Sequence, residues 1–436
     1  MAETIEDRPG MQRRKLGEQE RLFHYIHRFG ALIAVQVLHV QGAVTPKLLQ
    51  EGLAWLQDRH PTLRAHIEYR EPVFRNRPPY IYQQPYFAMN GTRRIPLRVV
   101  VDPSPDAWRR VFEEELRRPL RRGNYPRMRA VLVRASDDAT TCEIFLTSDH
   151  AIADAQSTNM ASRDLLGFVA GLPPEPLVVS GLPAALESAL PEPPAGPETY
   201  LPAERMPLGR PAPGRNAMRT VRRCLPPDAA QHLREAIRLQ RTTLHGAVSA
   251  AFLSALRQRF GLASMTQLST VDLRRMCRPP VSAQTFGCFI DLIRTRHALS
   301  DDFWAVARDV SFKVISSLAK DRSNASLMKL PGLDTYRKEL WPVLTGGRRL
   351  DALAVTTAGE SGLARNYGEL ALRDVTMAVS TSFLGPALFV IASEWDGQLD
   401  LHIGYPSQVM SAEEAEAIGD QALGCLERAG RLEQPA

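Results

Sequence analysis

Cysteine is scarce in this chain, and its pattern excludes several classes of protein. The five cysteines among 436 residues lie far apart and never form a Cys-x-x-Cys pair. This odd, scattered set argues against a disulfide framework and against a cysteine-based zinc site. We therefore expect buried thiols in a reducing compartment, at Cys142, Cys224, Cys277, Cys288 and Cys425.

Long apolar segments are also missing. The first residues include Glu3, Glu6 and Asp7 and contain no apolar run of the kind found in secretory signals, so we expect a cytoplasmic location. The most apolar stretch, residues 376–393, is interrupted by polar residues and by Pro386. We interpret it as two paired buried strands, Val375 to Ser382 and Ala387 to Glu394, and predict no membrane span.

The net charge of +6 comes mostly from scattered arginine pairs, and no basic run is long or interleaved with aromatic residues. Nucleic-acid binding is therefore not expected. A mildly basic surface suits acidic partners or phosphorylated cofactors instead. The pairs include Arg109-Arg110, Arg117-Arg118, Arg121-Arg122 and Arg274-Arg275.

Two domains are expected, because 436 residues exceed the size at which one hydrophobic core stops growing. Twelve prolines between Gly171 and Gly214 exclude a regular core element there. We interpret this stretch as an extended linker, with a disordered surface loop as the alternative. The predicted domains are residues 1–170 and 217–436, joined by the linker 171–216.

Apolar periodicity predicts strands and helices alternating in both halves, an α/β (α+β) fold. In the first half, strands are predicted at 31–40, from Leu63, at 129–134 and at 141–147, and helices at 45–59, 106–120 and 155–168. In the second half, strands are predicted at 220–225, 267–272 and 350–356, and helices at 227–239, 244–260, 302–318 and 409–428, the last capped by Ser411.

His150 is the candidate catalytic residue. It follows an apolar strand, and Asp154 stands four positions later, in the loop before a predicted helix. Imidazole is the side chain best suited to act as a general base near neutral pH. Asp154 has two possible roles, orienting the imidazole or holding the loop by pairing with an arginine. A hydrogen-bonded structural histidine is the alternative for His150.

Three segments together resemble the condensation-domain-like acyltransferases, and the resemblance covers nearly the whole chain. Residues 56–65 resemble their helix-to-strand signature, Asp149 to Ala155 their His-His-x-x-x-Asp-Gly motif, and Val271 to Arg274 their arginine-bearing strand. The length and order are similar to stand-alone polyketide-associated members such as phthiocerol/phthiodiolone dimycocerosyl transferases. The resemblance implies two chloramphenicol-acetyltransferase-like lobes in a V shape, each a mixed sheet flanked by helices.

The resemblance also implies the reaction, transfer of an acyl group from a thioester to a hydroxyl or an amine in polyketide, lipid or peptide natural-product biosynthesis. His150 is then the base and Asp154 holds the loop. Arg274 is either the salt-bridge partner of Asp154 or a cation that faces the substrate. The donor is acyl-CoA or an acyl carrier protein with its phosphopantetheine arm, and no permanently bound cofactor is expected. We expect a monomer.

Two departures from the family motif stand out, since Asp149 replaces its first histidine and Ala155 replaces its glycine. The altered motif leaves a second hypothesis, a non-catalytic module that binds a carrier protein or recruits a partner enzyme. For the oxyanion, hydroxyl donors are available at Ser380, Thr381 and Ser382. His24 and His27 have metal-ligand spacing, but no third ligand is apparent, so we interpret them as surface or core histidines and predict no metal.

Overall fold

The computed structural model describes residues 12–28, 30–69, 84–177, 181–191, 218–320, 352–381 and 386–431. The strands are β1 (Arg13–Lys15), β2 (Ile33–Gln41), β3 (His66–Tyr69), β4 (Pro85–Ala88), β5 (Leu97–Val101), β6 (Met128–Arg134), β7 (Thr141–Asp149), β8 (Met218–Leu225), β9 (Ser264–Asp272), β10 (Ile290–Ala298), β11 (Leu353–Glu360), β12 (Asn366–Tyr367), β13 (Leu370–Val379), β14 (Leu388–Trp395) and β15 (Gln398–Pro406). The helices are α1 (Glu18–Arg28), α2 (Pro46–Arg59), α3 (Ala107–Arg117), α4 (Ala155–Val169), α5 (Leu186–Ala189), α6 (Pro227–Leu239), α7 (Leu244–Phe260), α8 (Phe303–Lys320) and α9 (Ala412–Arg431).

The chain divides into two compact units, and neither is continuous in sequence. Unit 1 consists of Met1–Pro191, Leu273–Phe289 and Gly362–Met377, and unit 2 contains the remaining residues. Two segments from the second half of the chain therefore belong to unit 1. The predicted domains 1–170 and 217–436 are each continuous in sequence and do not include this exchange of segments. Much of the predicted linker 171–216 lies outside the described residues.

Unit 1 is built on a mixed sheet with strand order β12-β13-β2-β7-β6-β5, beside a small sheet of order β1-β4-β3. Strand β7 runs antiparallel to both neighbours, with Ile33 opposite Asp149 on one side and Met128 opposite Ser148 on the other. Helices α2 and α4 pack on each other. The end of β7, where the candidate histidine follows, is therefore flanked by strands on both sides.

Unit 2 contains a second mixed sheet, of order β10-β9-β11-β14-β15-β8. Helix α7 packs against α8 and α9 and is buried along most of its length, which explains its high alanine content. It begins at the Thr243 cap, whose hydroxyl accepts a hydrogen bond from the Gly246 amide. The mixed sheets flanked by helices confirm the predicted fold class.

Two local predictions were wrong. Residues Pro61–Arg64 form a 3₁₀ turn, and the strand predicted from Leu63 begins only at His66. The predicted pairing of the two late strands also fails, because β13 lies beside β2 and β12 in one sheet, whereas β14 lies between β11 and β15 in the other. A strand buried on both faces carries no polar face to specify its neighbour, so its composition does not reveal its partner.

Among the described residues, no helix is both long enough and apolar enough to cross a bilayer.

Candidate functional site

His150 follows β7 directly, in the loop that leads into α4. Its backbone amide donates to the Leu32 carbonyl at 3.1 Å, which extends the β2–β7 pairing by one more bond. Ala155 is the first residue of α4 and has no left-handed backbone conformation. The alanine in place of the motif glycine is therefore accommodated without strain.

The imidazole of His150 is partly buried and has neighbours on two sides. Its Nδ1 lies 3.7 Å from Sγ of Cys288, and the Phe23 ring meets it edge-on with a centroid separation of 5.4 Å. Burial lowers the pKa of His150 below its ordinary value, against the opposing effects of its own backbone carbonyl and of the Asp154 and Asp149 charges. The ring is therefore neutral at pH 7, the form that accepts a proton.

The carboxylate of Asp154 is committed to structural contacts. As the N-cap of α4 it accepts from the Ser157 amide at 2.9 Å, and it also accepts from the Phe289 amide at 3.0 Å. Arg274 binds both oxygens, with Nη1 at 2.6 Å and Nη2 at 3.0 Å. These bonds all hold the start of the helix, and none of the bonds found among the described residues runs from this carboxylate to His150.

Arg274 follows β9 and belongs to unit 1, like Asp154. It is 3% exposed, its guanidinium also donates to Oγ of Ser157 at 3.0 Å, and its Cζ lies 4.8 Å from the Phe289 ring centroid. The neighbouring Arg275 is exposed. Of the two possibilities that the sequence left open for Arg274, the geometry favours the ion-pair partner of Asp154.

Asp149, the first departure from the motif, is fully buried and paired. Nε and Nη2 of Arg127 donate to its Oδ2 at 3.1 and 2.7 Å, and the Ala151 amide donates to Oδ1 at 3.0 Å. Asp149 therefore holds the turn that contains His150 from the strand side, as Asp154 does from the helix side. Arg127 is 3% exposed and was not among the residues singled out in the sequence.

His24 and His27 lie one turn apart on α1, and both face Asp149. Their Nδ1 atoms are 3.5 and 3.7 Å from its carboxylate oxygens. Nε2 of His27 accepts from the Leu120 amide at 3.0 Å. Burial lowers the pKa of His27 to about 4, and it also lowers the pKa of His24. Both are core histidines that are neutral at pH 7.

Burial alone would raise the pKa of the Asp149 carboxyl, but the charges of His27 and Arg127 outweigh burial and hold that pKa well below its usual range. Because both histidines are neutral at pH 7, Arg127 supplies the positive charge that balances the Asp149 carboxylate at that pH. Within the described ranges, no group of three or more His, Cys, Asp and Glu residues is arranged to hold a metal ion.

The hydroxyl candidates for the oxyanion lie in unit 2. Ser380 and Thr381 are buried, and Oγ1 of Thr381 lies 3.5 Å from Sδ of Met218. Ser382 lies outside the described residues. The role of all three stays a prediction.

Comparison with known proteins supports the resemblance seen in the sequence. Residues 214–350 match the family model for the C-terminus of phthiocerol/phthiodiolone dimycocerosyl transferase. A search of curated proteins gave no match.

Similar solved structures span almost the whole chain. The cyclization-docking bidomain of the EpoB peptide synthetase from Sorangium cellulosum has a TM-score of 0.69 at 18% identity, covering 100% of this chain and 88% of its own. Polyketide synthase associated protein 5 from Mycobacterium tuberculosis has a TM-score of 0.62 at 18% identity, with coverages of 95% and 98%. The trichothecene 15-O-acetyltransferase of Fusarium sporotrichioides has a TM-score of 0.69 at 14% identity, with coverages of 96% and 95%. At these identities the similarity shows the fold.

Proposed function

We propose that this chain is an acyltransferase that moves an acyl group from a thioester to a hydroxyl or an amine, with His150 as general base. The family match and the fold point to acyl-transfer or condensation chemistry in natural-product biosynthesis. The observation that carries the proposal is the placement of His150: it directly follows β7, and a buried ion pair holds the loop on either side of it.

The proposed reaction has two steps. Nε2 of His150 takes the proton of the acceptor hydroxyl or amine while the oxygen or nitrogen attacks the thioester carbonyl carbon. The tetrahedral intermediate then collapses and the carbon–sulfur bond breaks. The departing sulfur takes the proton from the imidazolium, so that a free thiol and an ester or amide leave and His150 is neutral again.

Asp154 and Asp149 act on this reaction by positioning. The Asp154 carboxylate already accepts four hydrogen bonds, so we expect it to stabilise the loop and not to bond to the His150 ring. The Asp149–Arg127 pair occupies the position of the first motif histidine with a different but fully satisfied set of bonds. In this proposal Arg274 and Arg127 therefore maintain the geometry of the site and do not contact the substrate.

The donor proposed is acyl-CoA or a carrier protein loaded with an acyl chain, and both present the same pantetheine thioester. One similar structure carries an acetyltransferase name and another is named for its association with a polyketide synthase, which agrees with either donor. No permanently bound cofactor is part of the proposal, and the cytoplasmic location and monomeric state remain our expectations.

Thiol release tests the proposal. Purified protein is incubated with a panel of acyl-CoAs and acyl carrier proteins plus alcohols and amines, and acceptor-dependent thiol is measured. His150→Ala should reduce the rate at least ~100-fold, the usual effect of losing a general base. His232→Ala, the same change at an exposed histidine on α6, is the matched control and should stay within about twofold of the native rate, because His232 is far in sequence from the motif and solvent-exposed.

Equal thiol release by the native and His150→Ala proteins would refute the mechanism. Absence of acceptor-dependent release across the whole panel, from a native protein that still binds a loaded carrier protein, would instead favour the non-catalytic module.

A further inference from the structure

The segment after α3 is unusually basic. Residues 116–129 contain six arginines and no acidic residue, and the proposed reaction uses only one of them, Arg127. The six are Arg117, Arg118, Arg121, Arg122, Arg127 and Arg129.

Two of these arginines fix the backbone of the segment from its inner side. Arg129 donates to the carbonyls of Arg118 at 2.6 Å and Pro119 at 3.2 Å. Arg127 donates to the Arg121 carbonyl at 2.9 Å. The side chains of Arg118 and Arg121 are therefore presented from a backbone that is already ordered, which reduces the entropy cost of binding a ligand there.

A cavity of about 230 Å³ lies against this segment, entirely within unit 1. Its wall combines apolar residues, among them Leu97 and Leu120, with Arg98, Arg118, Arg121 and Arg129 and the single acid Glu115. Four positive charges and one negative charge leave a formal excess of three positive charges around a small concave space. Such a space attracts an anion.

The positive charge is concentrated on two of the four arginines. The Glu115 carboxylate, 0% exposed, accepts from Arg129 at 2.5 Å and from Arg98 at 3.2 Å, and so neutralises that side of the cavity. The one carboxylate found near Arg118 among the described residues is that of Glu114, at 3.7 Å. Arg121 donates to Oη of Tyr125 at 3.4 Å, and among the described residues no carboxylate pairs with it.

Tyr125 brings one more cation to the rim. The Cζ atoms of Arg121 and Arg93 lie 5.3 and 4.7 Å from its ring centroid, and Arg93 donates to its hydroxyl at 2.9 Å. Arg93 is exposed, and its remaining side-chain bond goes to the neutral Asn124. Among the described residues, Arg121 and Arg93 are therefore held in place by the neutral groups of Tyr125 and Asn124, and no carboxylate pairs with either guanidinium.

We propose that this cavity binds a phosphate group of the thioester donor. The inference rests on the proposed function and specifies how the donor is recognised. Guanidinium groups match phosphate oxygens with paired hydrogen bonds, and a small concave site suits one phosphate better than the broad face of an acidic protein. In both donors the pantetheine arm separates the phosphate from the sulfur, so the phosphate site need not contact His150.

The cavity wall is linked to the support of His150 by two hydrogen bonds. The Leu120 amide donates to His27, and the Arg121 carbonyl accepts from Arg127. Both His27 and Arg127 face Asp149, the residue before the base. An anion bound at Arg118 and Arg121 therefore contacts the same segment that holds Asp149 in place.

Binding measurements on the His150→Ala protein test the inference without turnover. Two ligand pairs are titrated by calorimetry: 4′-phosphopantetheine against pantetheine, and CoA against dephospho-CoA. We expect the extra phosphate to tighten binding at least tenfold in one pair or both. A difference in the first pair assigns the phosphate on the pantetheine arm, common to both donors, and a difference confined to the second assigns the 3′-phosphate and makes CoA the donor.

The double variant Arg118→Gln/Arg121→Gln should abolish that difference. Arg109→Gln/Arg110→Gln is the matched control, because it removes the same charge from exposed arginines on α3 that pair with Asp106 and Asp102, and it should retain the difference. Equal effects of the two double variants, or no preference for phosphate in either ligand pair, would overturn the inference. Calorimetry tests the phosphate site and thiol release tests acyl transfer, so either proposal can fail while the other stands.

Discussion

At the scale of single residues, the loop around His150 depends on two buried ion pairs, Asp149–Arg127 and Asp154–Arg274. Asp154 and Arg274 are 120 positions apart, and each is almost fully buried. Removing one partner of such a pair leaves an uncompensated charge in the interior, which costs far more than the loss of a surface pair. The pair therefore acts as a structural requirement for the site.

Asp154→Asn tests this role. Asparagine still caps the helix, but the variant leaves Arg274 buried without its counterion, so we expect a loss of about 3–5 kcal/mol in the free energy of unfolding. Urea denaturation measures it, and adding Arg274→Met should recover part of the loss. Asp106→Asn, in an exposed pair, should cost less than ~1 kcal/mol. Native stability together with lost turnover would show that Asp154 takes part in the chemistry itself.

At the scale of helices and strands, the sequence was informative wherever the signal was local. The Thr45-Pro46 start of α2 was predicted and confirmed, and Thr45 does cap the helix. The Ser411 cap of α9 was confirmed too. The Ser411 hydroxyl accepts a hydrogen bond from the Glu414 amide, and the Glu414 carboxylate accepts one from the Ser411 amide. Such signals lie within four residues of the element that they define, so one sequence is sufficient to find them.

Strand partners and the support of the site were less predictable. β14 pairs with β15 through the two-residue turn Asp396-Gly397, and both turn residues have positive φ. Asp-Gly is a local hairpin signal, so this pairing is one that a sequence can indicate. Arg274 was found only through the family resemblance. Arg127 could not be found, because its contact with Asp149 follows from the β6–β7 pairing and no local pattern marks it.

The crossing of α7 and α8 gives a prediction at this scale. A Cβ on Gly246 would lie 2.5 Å from the Ala307 carbonyl oxygen, which belongs to the α8 backbone and cannot move freely. Gly246→Ala should therefore cost about 1–3 kcal/mol through overpacking, measured by thermal unfolding. Gly167→Ala on α4, where nothing lies within 4 Å of the new Cβ, should be neutral or stabilising by up to ~1 kcal/mol. Equal effects would contradict the close approach of the two helices.

At the scale of the whole molecule, each unit contains one histidine whose pKa is strongly lowered. Burial lowers the pKa of His27 in unit 1 and of His245 in unit 2 to about 4. Nδ1 and Nε2 of His245 contact the hydroxyls of Thr357 and Ser269 at 2.9 Å each, an arrangement that suits a neutral ring. Both units therefore fold around histidines that the unfolded chain protonates more readily.

Stability should consequently fall in mild acid. Between pH 6.5 and 4 the unfolded state binds a proton at each of these histidines and the folded state does not, so each lowers the free energy of unfolding by up to about 3 kcal/mol as the pH drops. Urea denaturation from pH 7 to pH 4.5 measures the slope. His245→Gln should flatten it and the exposed His232→Gln should not. An unchanged slope in His245→Gln would contradict the assignment.

Unit 1 is assembled from three separate segments of the chain, and this affects when it can fold during translation. Asp154 leaves the ribosome 120 residues ahead of Arg274, and the last segment of unit 1 ends at Met377. Although domains generally fold N-terminal first during synthesis, we expect unit 1 to complete its fold only after Arg274 and the segment that ends at Met377 have been made. A fragment ending at Pro191 should therefore depend on chaperones or refold only when the missing segments are supplied in trans.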